Sequence, residues 1–199
     1  MPNSIVKDLL FVRVKHTCPW WLCFTFDNYL RKIFQDPQKI LLPYVRQGST
    51  VLDIGPGMGY FTIPLLKMVG NSGRVIAVDI QQEMLRRLEK RARKTGLSER
   101  IHLQLCSENS LGITTKVDFA LAFWMVHEVP DKKLFLRQIA LVMKAGSRFL
   151  LVEPALHVNA SMFEDTIDAA CKTGLTLLDR PGISLSRAAL FGVKDVERQ

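Results

Sequence analysis

Cysteine is scarce in this sequence, and the spacing of the few cysteines excludes two uses of them. A disulfide framework and a tetrahedral zinc site both need paired cysteines at short intervals. Only one short interval occurs here, and no second pair of ligands lies near it. We therefore expect reduced thiols and predict no metal site; the cysteines are Cys18, Cys23, Cys106 and Cys171.

Long apolar runs are lacking as well. The most apolar early stretch, CPWWLCFTF, is too short to span a bilayer and is bounded by charge. Lys7 and Asp8 stand where a signal peptide would be apolar. With 48% hydrophobic residues and a mean hydropathy of +0.10, the sequence is typical of a folded globular protein. We expect a cytoplasmic protein without a membrane span, whose 199 residues form one core.

Acidic residues are outnumbered by basic ones, and the net charge is +8. Such a charge raises the question of a nucleic-acid partner. Much of the excess lies in residues 81–100, where apolar side chains form the inward stripe of an amphipathic helix and basic ones take the opposite face. A solvated helix face explains this charge, so no nucleic-acid partner is predicted. The stripe consists of Met84, Leu85, Leu88 and Ala92.

Short apolar runs alternate with helical patterns from position 49 onward. Nearly continuous apolar runs are typical of strands buried on both faces of a sheet. Their alternation with helices predicts a parallel sheet with helices on both sides, which is an α/β fold. The predicted strands are 49–54, 74–80, 101–106, 116–123 and 147–154, and the predicted helices are 61–69, 81–95 and 131–144.

The C-terminal part adds a helix and a pair of strands. Ser161 and Glu164 are spaced as in a capping box, which predicts a helix that begins there and ends near Lys172. Two strand-like segments, 175–180 and 187–193, flank a Pro–Gly turn. Because the connection between them is too short for a helix, these strands are predicted to be antiparallel neighbours.

The first 48 residues differ from the rest because they are crowded with aromatic side chains. Asp36 followed by Pro37 is a favourable helix start, with an acid at the cap and proline at the first helical position. We interpret residues 1–48 as a helical N-terminal extension that packs on a single domain formed by residues 49–199.

One short stretch carries the strongest functional signal. Residues 51–60 read VLDIGPGMGY, which predicts a strand, a glycine turn and the start of a helix. Glycines let the backbone approach a ligand without a Cβ in the way, and the helix N-terminus favours a negatively charged group. In open sheets, ligands bind at the carboxyl ends of such strands. The turn is therefore predicted to be a ligand site.

The glycine spacing does not fit a dinucleotide. That fingerprint requires glycines at relative positions one, three and six. Counted from Gly55 the sixth residue is Tyr60, and counted from Gly57 it is Thr62. The Gly-Lys-Ser/Thr of a phosphate-binding loop is lacking too. A nicotinamide oxidoreductase is therefore a weaker alternative.

The spacing does fit Asp-x-Gly-x-Gly-x-Gly, which begins at Asp53 and ends at Gly59. With this motif and the closing hairpin, the chain resembles the class I S-adenosylmethionine-dependent methyltransferases over roughly residues 40–193. The resemblance implies a Rossmann-like three-layer sandwich with a mostly parallel seven-stranded sheet and an antiparallel last strand. It also implies S-adenosyl-L-methionine as cofactor and S-adenosyl-L-homocysteine as product. The methionine part would lie against the glycine turn, and the ribose against an acid that ends the second strand.

Asp79 is that acid, twenty residues after Gly59. Its carboxylate could accept hydrogen bonds from both ribose hydroxyls, and capping the next helix is the alternative role. After the third strand the family usually has an acid and then a small residue, whereas here Ser107 precedes Glu108, so the adenine contact is left open between them. The cofactor-contact candidates are Asp53, Gly55, Pro56, Gly57, Gly59, Tyr60, Asp79, Ile80, Ser107, Glu108 and Phe123.

The exit of the fourth strand, DFALAFWMVHEVPD, is expected to border the methyl acceptor. His127 is the candidate catalytic residue, because an imidazole titrates near neutral pH and could accept a proton during direct in-line transfer. The alternative is that His127 and Glu128 only cap the helix that follows.

Motifs for several acceptor classes are lacking. The sequence has no Asn/Asp-Pro-Pro-Tyr/Phe after strand four, no Pro-Cys pair and no acidic cluster of the metal-dependent catechol type. We therefore predict a small-molecule acceptor, over which the N-terminal aromatic side chains could form a lid, unless they only cover the sheet. An RNA-modifying methyltransferase and a non-catalytic module that binds the cofactor are the alternatives. The sequence leaves a monomer and a homodimer both open.

Overall fold

The computed structural model describes residues 34–193 of the chain. Most of the predicted N-terminal extension, with most of its aromatic residues, lies outside the described residues. Its last part is described, and there Asp36 caps a helix that begins at Pro37, as predicted: the Asp36 carboxylate accepts a hydrogen bond from the Gln38 amide at 3.0 Å. Across 34–193, no helix is both long and apolar enough to cross a bilayer.

Strands and helices alternate along most of the described chain. Short 3₁₀ turns at Ser98–Arg100 and Val126–Glu128 interrupt the alternation. The elements in chain order are α1 (Pro37–Leu41), β1 (Thr50–Ile54), α2 (Thr62–Met68), β2 (Arg74–Asp79), α3 (Gln82–Lys94), β3 (Ile101–Leu105), β4 (Val117–Phe123), α4 (Lys132–Val142), β5 (Met143–Pro154), α5 (Ala160–Cys171), β6 (Leu175–Asp179) and β7 (Ser186–Val193).

The strands form one seven-stranded sheet in the order β3-β2-β1-β4-β5-β7-β6. Only β7 runs antiparallel to its neighbours β5 and β6, which confirms the predicted α/β sandwich with an antiparallel last strand. The chain moves outward from β1 through β2 to β3 and then returns to β4 on the other side of β1. Strand order therefore reverses between β1 and β4, the position at which open sheets bind ligands.

Helices cover both faces of the sheet, as predicted. On one face, Leu65 of α2 and Leu88 of α3 are fully buried against the strands. On the other face, Phe135 of α4 and Phe163 of α5 are buried in a second apolar layer. Successive strand residues point to opposite faces, so the central strands contribute to both layers and read as continuous apolar runs.

The third strand departs from the expectation that it is buried on both faces. His102 is exposed, and Leu105 keeps 49% of its surface exposed. β3 lies at the edge of the sheet, and in the described chain the connection 106–116 to β4 contains no helix. One face of β3 is therefore left without a packed helix, which its apolar composition alone does not reveal.

The boundary between α4 and β5 also differs from the prediction. The helix ends at Val142 instead of near 144, and β5 begins at Met143. Met143 already pairs with Val117 of β4, and the register then shifts before Arg148. Ala145 and Gly146, which directly follow the predicted helix 131–144, therefore lie in this irregular part of the strand, where Gly146 has φ +72°.

The predicted capping box at the start of α5 is wrong. Asn159 is the N-cap, and its side-chain oxygen accepts a hydrogen bond from the Met162 amide at 2.9 Å. Ser161 already lies in the first turn of the helix. Asparagine is at least as good a cap as serine, so Asn159, two residues before Ser161, takes the role.

Candidate functional site

A cavity of about 290 Å³ opens at the carboxyl ends of β1, β2 and β4. Its volume is near the lower end of the range of small-molecule sites. The glycine turn forms one wall, the end of β2 a second and the exit of β4 a third. The lining residues are Ile54, Gly55, Gly57, Val78, Asp79, Ile80, Gln81, Met84, Cys106, Ser107, Glu108, Leu111, Trp124, Met125, Glu128, Val129, Pro130 and Phe135.

The first two glycines of the turn face this cavity. Gly57 has φ +54°, and a Cβ placed on it would meet no atom within 4 Å. Gly55 has φ +65°, and a Cβ there would come within 3.0 Å of the Met125 side chain. The bare backbone at Gly57 thus leaves open space where a ligand could contact it.

The third glycine serves the packing of the turn. A Cβ on Gly59 would lie 2.5 Å from the Cδ1 atom of Leu88, which is fully buried in α3. Gly59 is not among the residues that line the cavity. Its missing side chain therefore lets helix α3 approach the turn.

Asp53 lies behind the turn. Its side chain is 2% exposed and accepts a hydrogen bond from the Thr62 hydroxyl at 2.7 Å. Burial raises the pKa of Asp53 to about 7, against the opposing effect of the Thr62 bond and with a further increase from the charge of Asp79. The structure thus places this acid behind the cavity wall and outside the cavity lining.

Asp79 lies in the cavity wall at the end of β2. Its carboxylate accepts a hydrogen bond from the Gln81 amide at 2.8 Å and is also bonded by the backbone of Gly57 and Ile80. Burial raises the pKa of Asp79 to about 6, the nearby Glu128 adds to this, and the backbone bonds oppose it. The Asp79 carboxylate thus accepts hydrogen bonds from both the glycine turn and the start of α3.

A tight turn after β3 forms the next part of the wall. The Ser107 amide donates to the Ser110 carbonyl at 3.0 Å, and the Ser110 amide returns a bond at 3.3 Å. Both Ser107 and Glu108 line the cavity. Cys106, beside them, has its pKa raised to about 11 by burial and by the charge of Asp79, so its thiol stays protonated.

The exit of β4 is held in an uncommon backbone conformation. Trp124 has φ +60°, and its amide donates to the Val152 carbonyl at 2.7 Å. Its indole N–H donates to the Ser186 hydroxyl at 3.0 Å, at the start of β7. Phe123 packs against Phe61 with ring centroids 4.2 Å apart. Phe123 therefore supports the wall from behind, and Trp124 forms part of it.

His127 lies in the 3₁₀ turn that follows. Its Nδ1 atom is 2.5 Å from Oε2 of Glu153, a side chain that is 1% exposed at the end of β5. Burial lowers the pKa of His127, but the hydrogen bond and charge of Glu153 together with the charge of Glu128 outweigh it, so the pKa is raised above its ordinary value of 6.5. His127 lies next to the cavity-lining Glu128 but does not itself line the cavity.

The structure brings together about half of the cofactor-contact candidates. Those that line the cavity are Gly55, Gly57, Asp79, Ile80, Ser107 and Glu108, and those that the described cavity does not include are Asp53, Pro56, Gly59, Tyr60 and Phe123. Tyr60, for example, donates its hydroxyl proton to the Gln35 carbonyl at 2.9 Å. The roles of both groups as cofactor contacts stay predictions.

Sequence reasoning missed several residues of this region. Glu153 was not considered, although it ends an apolar strand as Asp79 does, and that pattern could have pointed to it. Glu128 was named only as a possible helix cap. Met125, Leu111 and Gln81 carry no chemical signature, so the sequence offers no signal for their place in the wall.

Comparison with known proteins was consistent with this geometry. The sequence model of the methyltransferase domain family matches residues 46–180. The ubiquinone/menaquinone biosynthesis C-methyltransferase UbiE of Enterobacter sp. (strain 638) is 32% identical over 110 residues, which are 55% of this chain and 44% of that protein. The aligned part of the chain thus spans less than half the length of this curated relative.

Solved structures with the same fold have lower sequence identity. An S-adenosylmethionine-dependent methyltransferase from Aquifex aeolicus superposes with a TM-score of 0.81 at 23% identity, over 89% of this chain and 100% of that one. A Clostridium thermocellum protein described as a candidate rRNA methylase superposes with a TM-score of 0.59 at 15% identity, over 79% and 95% of the two chains. These likenesses establish the fold.

Proposed function

The chain belongs to the methyltransferase domain family, within the class I S-adenosylmethionine-dependent methyltransferases, and from this premise we propose that it transfers a methyl group to a small-molecule acceptor. The single observation that carries the proposal is the charge of the cavity beside the glycine turn. Three acids, Asp79, Glu108 and Glu128, line it, and no lysine or arginine is among its described lining residues.

This charge distinguishes between nucleotide ligands. A pyrophosphate would bring negative charge into a cavity that three carboxyl groups line and no described lysine or arginine lines. Coulomb repulsion disfavours such a ligand. A nucleoside that carries a sulfonium and an ammonium group brings positive charge instead. The cavity therefore suits S-adenosylmethionine better than a nicotinamide dinucleotide.

The residues present fit this cofactor. The bare backbone of Gly55 and Gly57 would hold its amino-acid end, the Asp79 carboxylate its ribose, and the turn at Ser107 and Glu108 its adenine. When bound, the cofactor supplies an electrophilic methyl group on a sulfonium. Ile80, which also lines the cavity, is a further proposed contact. The proposed contacts that lie outside the cavity lining are Asp53, Pro56, Gly59, Tyr60 and Phe123.

The protein's own contribution is alignment, exclusion of water and proton removal. Apolar side chains such as Leu111, Met125 and Phe135 line the cavity, and a dry wall strengthens every charge interaction inside it. Holding two reactants in line can supply much of the rate enhancement without a covalent intermediate. His127, beside this wall, is the proposed proton acceptor.

A small-molecule acceptor is supported by the relatives named for ubiquinone and menaquinone biosynthesis. The fold likeness to a candidate rRNA methylase and the basic outer face of α3 favour RNA as the second candidate. We further propose a single cytoplasmic domain with an N-terminal extension, as monomer or homodimer.

Thermal unfolding in the presence of three ligands tests the cofactor. S-adenosylmethionine and S-adenosylhomocysteine should each raise the melting temperature, whereas NAD should not. A ligand at a hundred times its dissociation constant stabilises the folded state by about 2.7 kcal/mol. A response to NAD alone, or to none of the three, would refute the proposal.

Two single substitutions test the ribose contact. Asp79→Ala should weaken S-adenosylhomocysteine binding by roughly 10- to 100-fold, because hydrogen bonds to a charged group are lost. Asp165→Ala, which removes an exposed acid from α5, is the matched control and should bind normally. Normal binding by Asp79→Ala would show that the ribose assignment is wrong.

A comparison of acceptors distinguishes the two candidates. The chain should release S-adenosylhomocysteine when supplied with a small-molecule extract and not with cellular RNA. The RNA alternative predicts the reverse, with an affinity that falls steeply as salt increases.

A further inference from the structure

A buried carboxylate connects the ends of two neighbouring strands. Glu153, at the end of β5, accepts hydrogen bonds from the Val126 amide at 2.8 Å and the His127 amide at 3.3 Å. The same carboxylate meets the Nδ1 atom of His127 at 2.5 Å. Because β4 and β5 are parallel neighbours, both end at this edge of the sheet, and the carboxylate reaches the β4 exit turn directly.

This pairing fixes how the imidazole is protonated. An ionised carboxylate can only accept, so Nδ1 must be the nitrogen that carries the proton. In the neutral ring the lone pair is then on Nε2, which has no hydrogen-bond partner among residues 34–193. Nε2 lies 3.9 Å from Oε1 of Glu128, a side chain of the cavity wall. The basic nitrogen of His127 therefore lies beside a carboxylate that lines the cavity.

We infer that Glu153 is a positioning residue that holds His127 with Nε2 ready to take a proton from the methyl acceptor. This inference rests on the proposed methyl transfer and requires an acceptor whose attacking atom carries an ionisable proton, as the oxygen of a phenol does. The proton leaves the acceptor oxygen for Nε2, the oxygen's electron pair forms the new bond to the methyl carbon, and the pair of the broken carbon–sulfur bond stays on sulfur. No further reactant is needed.

Four charged or titratable groups face His127 from the elements around it. Glu153 on β5 and Glu128 on the same turn favour the protonated ring, whereas Lys132 at the start of α4 opposes it. The exposed His157, after β5, has its ring centroid 6.0 Å away. One carboxylate meets Nδ1 and the other lies 3.9 Å from Nε2, so both stabilise a proton gained at Nε2.

A purely structural role for Glu153 would consist of joining the two strand ends through its bonds to backbone amides. Glu153→Gln separates the roles, because the glutamine oxygen can still accept from the Val126 amide while its NH₂ group replaces the oxygen that met Nδ1. An NH₂ group donates, so Nδ1 would have to become the acceptor and Nε2 would carry the proton. The shorter backbone bond, from the Val126 amide, is kept, the longer one from the His127 amide is lost, and the tautomer is reversed.

Nitrogen-15 NMR of the imidazole rings in the full-length chain, with and without S-adenosylhomocysteine, tests this directly. In the natural chain, neutral His127 should carry its proton on Nδ1, and its pKa should be higher than the ordinary value of 6.5. Glu153→Gln should move the proton to Nε2 and lower the pKa. A natural chain with the proton on Nε2 overturns the inference, even if Glu153→Gln does not fold.

Turnover with two phenols of different acidity provides the second test. At pH 8, 4-nitrophenol is already largely ionised and phenol is not, so only phenol needs a base. Glu153→Gln and His127→Ala should each lower kcat for phenol by about a hundredfold, should lower it much less for 4-nitrophenol, and should leave KM for S-adenosylmethionine unchanged. Combined in one chain, the two changes should cost no more than His127→Ala alone.

His157→Gln is the matched control and should leave both phenol reactions unchanged. Equal losses for the two phenols, additive losses in the double variant, or methylation of neither phenol by the natural chain would overturn the inference. Failure of S-adenosylhomocysteine to bind would instead speak against the proposed function, so the two outcomes are distinguishable.

Discussion

Two glycines of the turn, Gly57 and Gly59, are required for different physical reasons. Gly57 borders open space in the cavity, whereas Gly59 faces the buried side chain of Leu88. Both have positive φ angles, so any other residue pays a conformational cost of about 1 kcal/mol at either position. Only at Gly59 is a steric clash added to that cost.

Alanine substitutions should therefore separate stability from binding. Gly59→Ala should lower the free energy of unfolding by about 1–3 kcal/mol more than Gly57→Ala, because the new methyl group overpacks the core against Leu88. Gly57→Ala should have the larger effect on S-adenosylhomocysteine affinity. Urea unfolding and calorimetric titration of both variants measure these quantities.

A third variant identifies the clash as the cause. In a Leu88→Ala background, Gly59→Ala should lower the free energy of unfolding by less than it does in the natural chain, because the truncated side chain at position 88 leaves room for the new methyl group. Equal costs in the two backgrounds would contradict the assigned role of Gly59.

At the scale of elements, side chains before the first turn determine where several helices begin. Asp131 caps α4 by accepting from the Leu134 amide at 2.8 Å, and Asn159 caps α5 in the same way. Helix α3 has no cap bond from its own N-cap residue, Gln81, and the Gln81 amide donates to Asp79 instead. The acid proposed to hold the ribose thus also fixes the start of a helix.

Because Asn159 is the N-cap of α5, two alanine variants should differ in stability. Asn159→Ala should lower the free energy of unfolding by about 1 kcal/mol, because the Met162 amide loses its acceptor. Ser161→Ala should have almost no effect, since Ser161 lies inside the first turn. Thermal unfolding of the two variants measures the difference. A larger loss of stability from Ser161→Ala than from Asn159→Ala would instead support the capping box at Ser161.

At the scale of the whole molecule, two buried acids connect stability to pH. The pKa of Asp53 is raised to about 7 and that of Asp79 to about 6, from an ordinary value of 3.8. A raised carboxyl pKa means that the folded state binds protons more tightly than the unfolded one. Their contribution to stability is full below pH 3.8 and is lost as pH rises through about 6 to 7. The raised pKa of His127 acts in the same direction.

Removing one of these charges should stabilise the ligand-free chain. Asp79→Asn keeps an oxygen that accepts from Gln81 but cannot ionise, so at pH 7.5 it should be more stable than the natural chain by up to about 3 kcal/mol. The difference should shrink toward pH 4.5, and ligand affinity should be lower at both values. Parallel stability curves in urea unfolding across this range would contradict the effect.

How much the sequence predicted depended on how far apart the interacting residues are along the chain. The strands, the glycine turn and Asp79 were predictable because each gives a signal within a few residues. The Glu153–His127 pair was not, because it depends on β4 and β5 lying side by side. The exposure of β3 and the early start of β5 likewise depend on packing and pairing between distant segments.

The position of β7 between β5 and β6 has a consequence for synthesis on the ribosome. β5 is complete when residue 154 has been added, but its neighbour β7 is finished only at residue 193. Until then β5 presents an open edge, and β6 has no partner strand in the described sheet. Nascent chains that stall before Ser186 would therefore expose a strand edge with unpaired backbone N–H and C=O groups. Such chains should depend on chaperones to avoid aggregation.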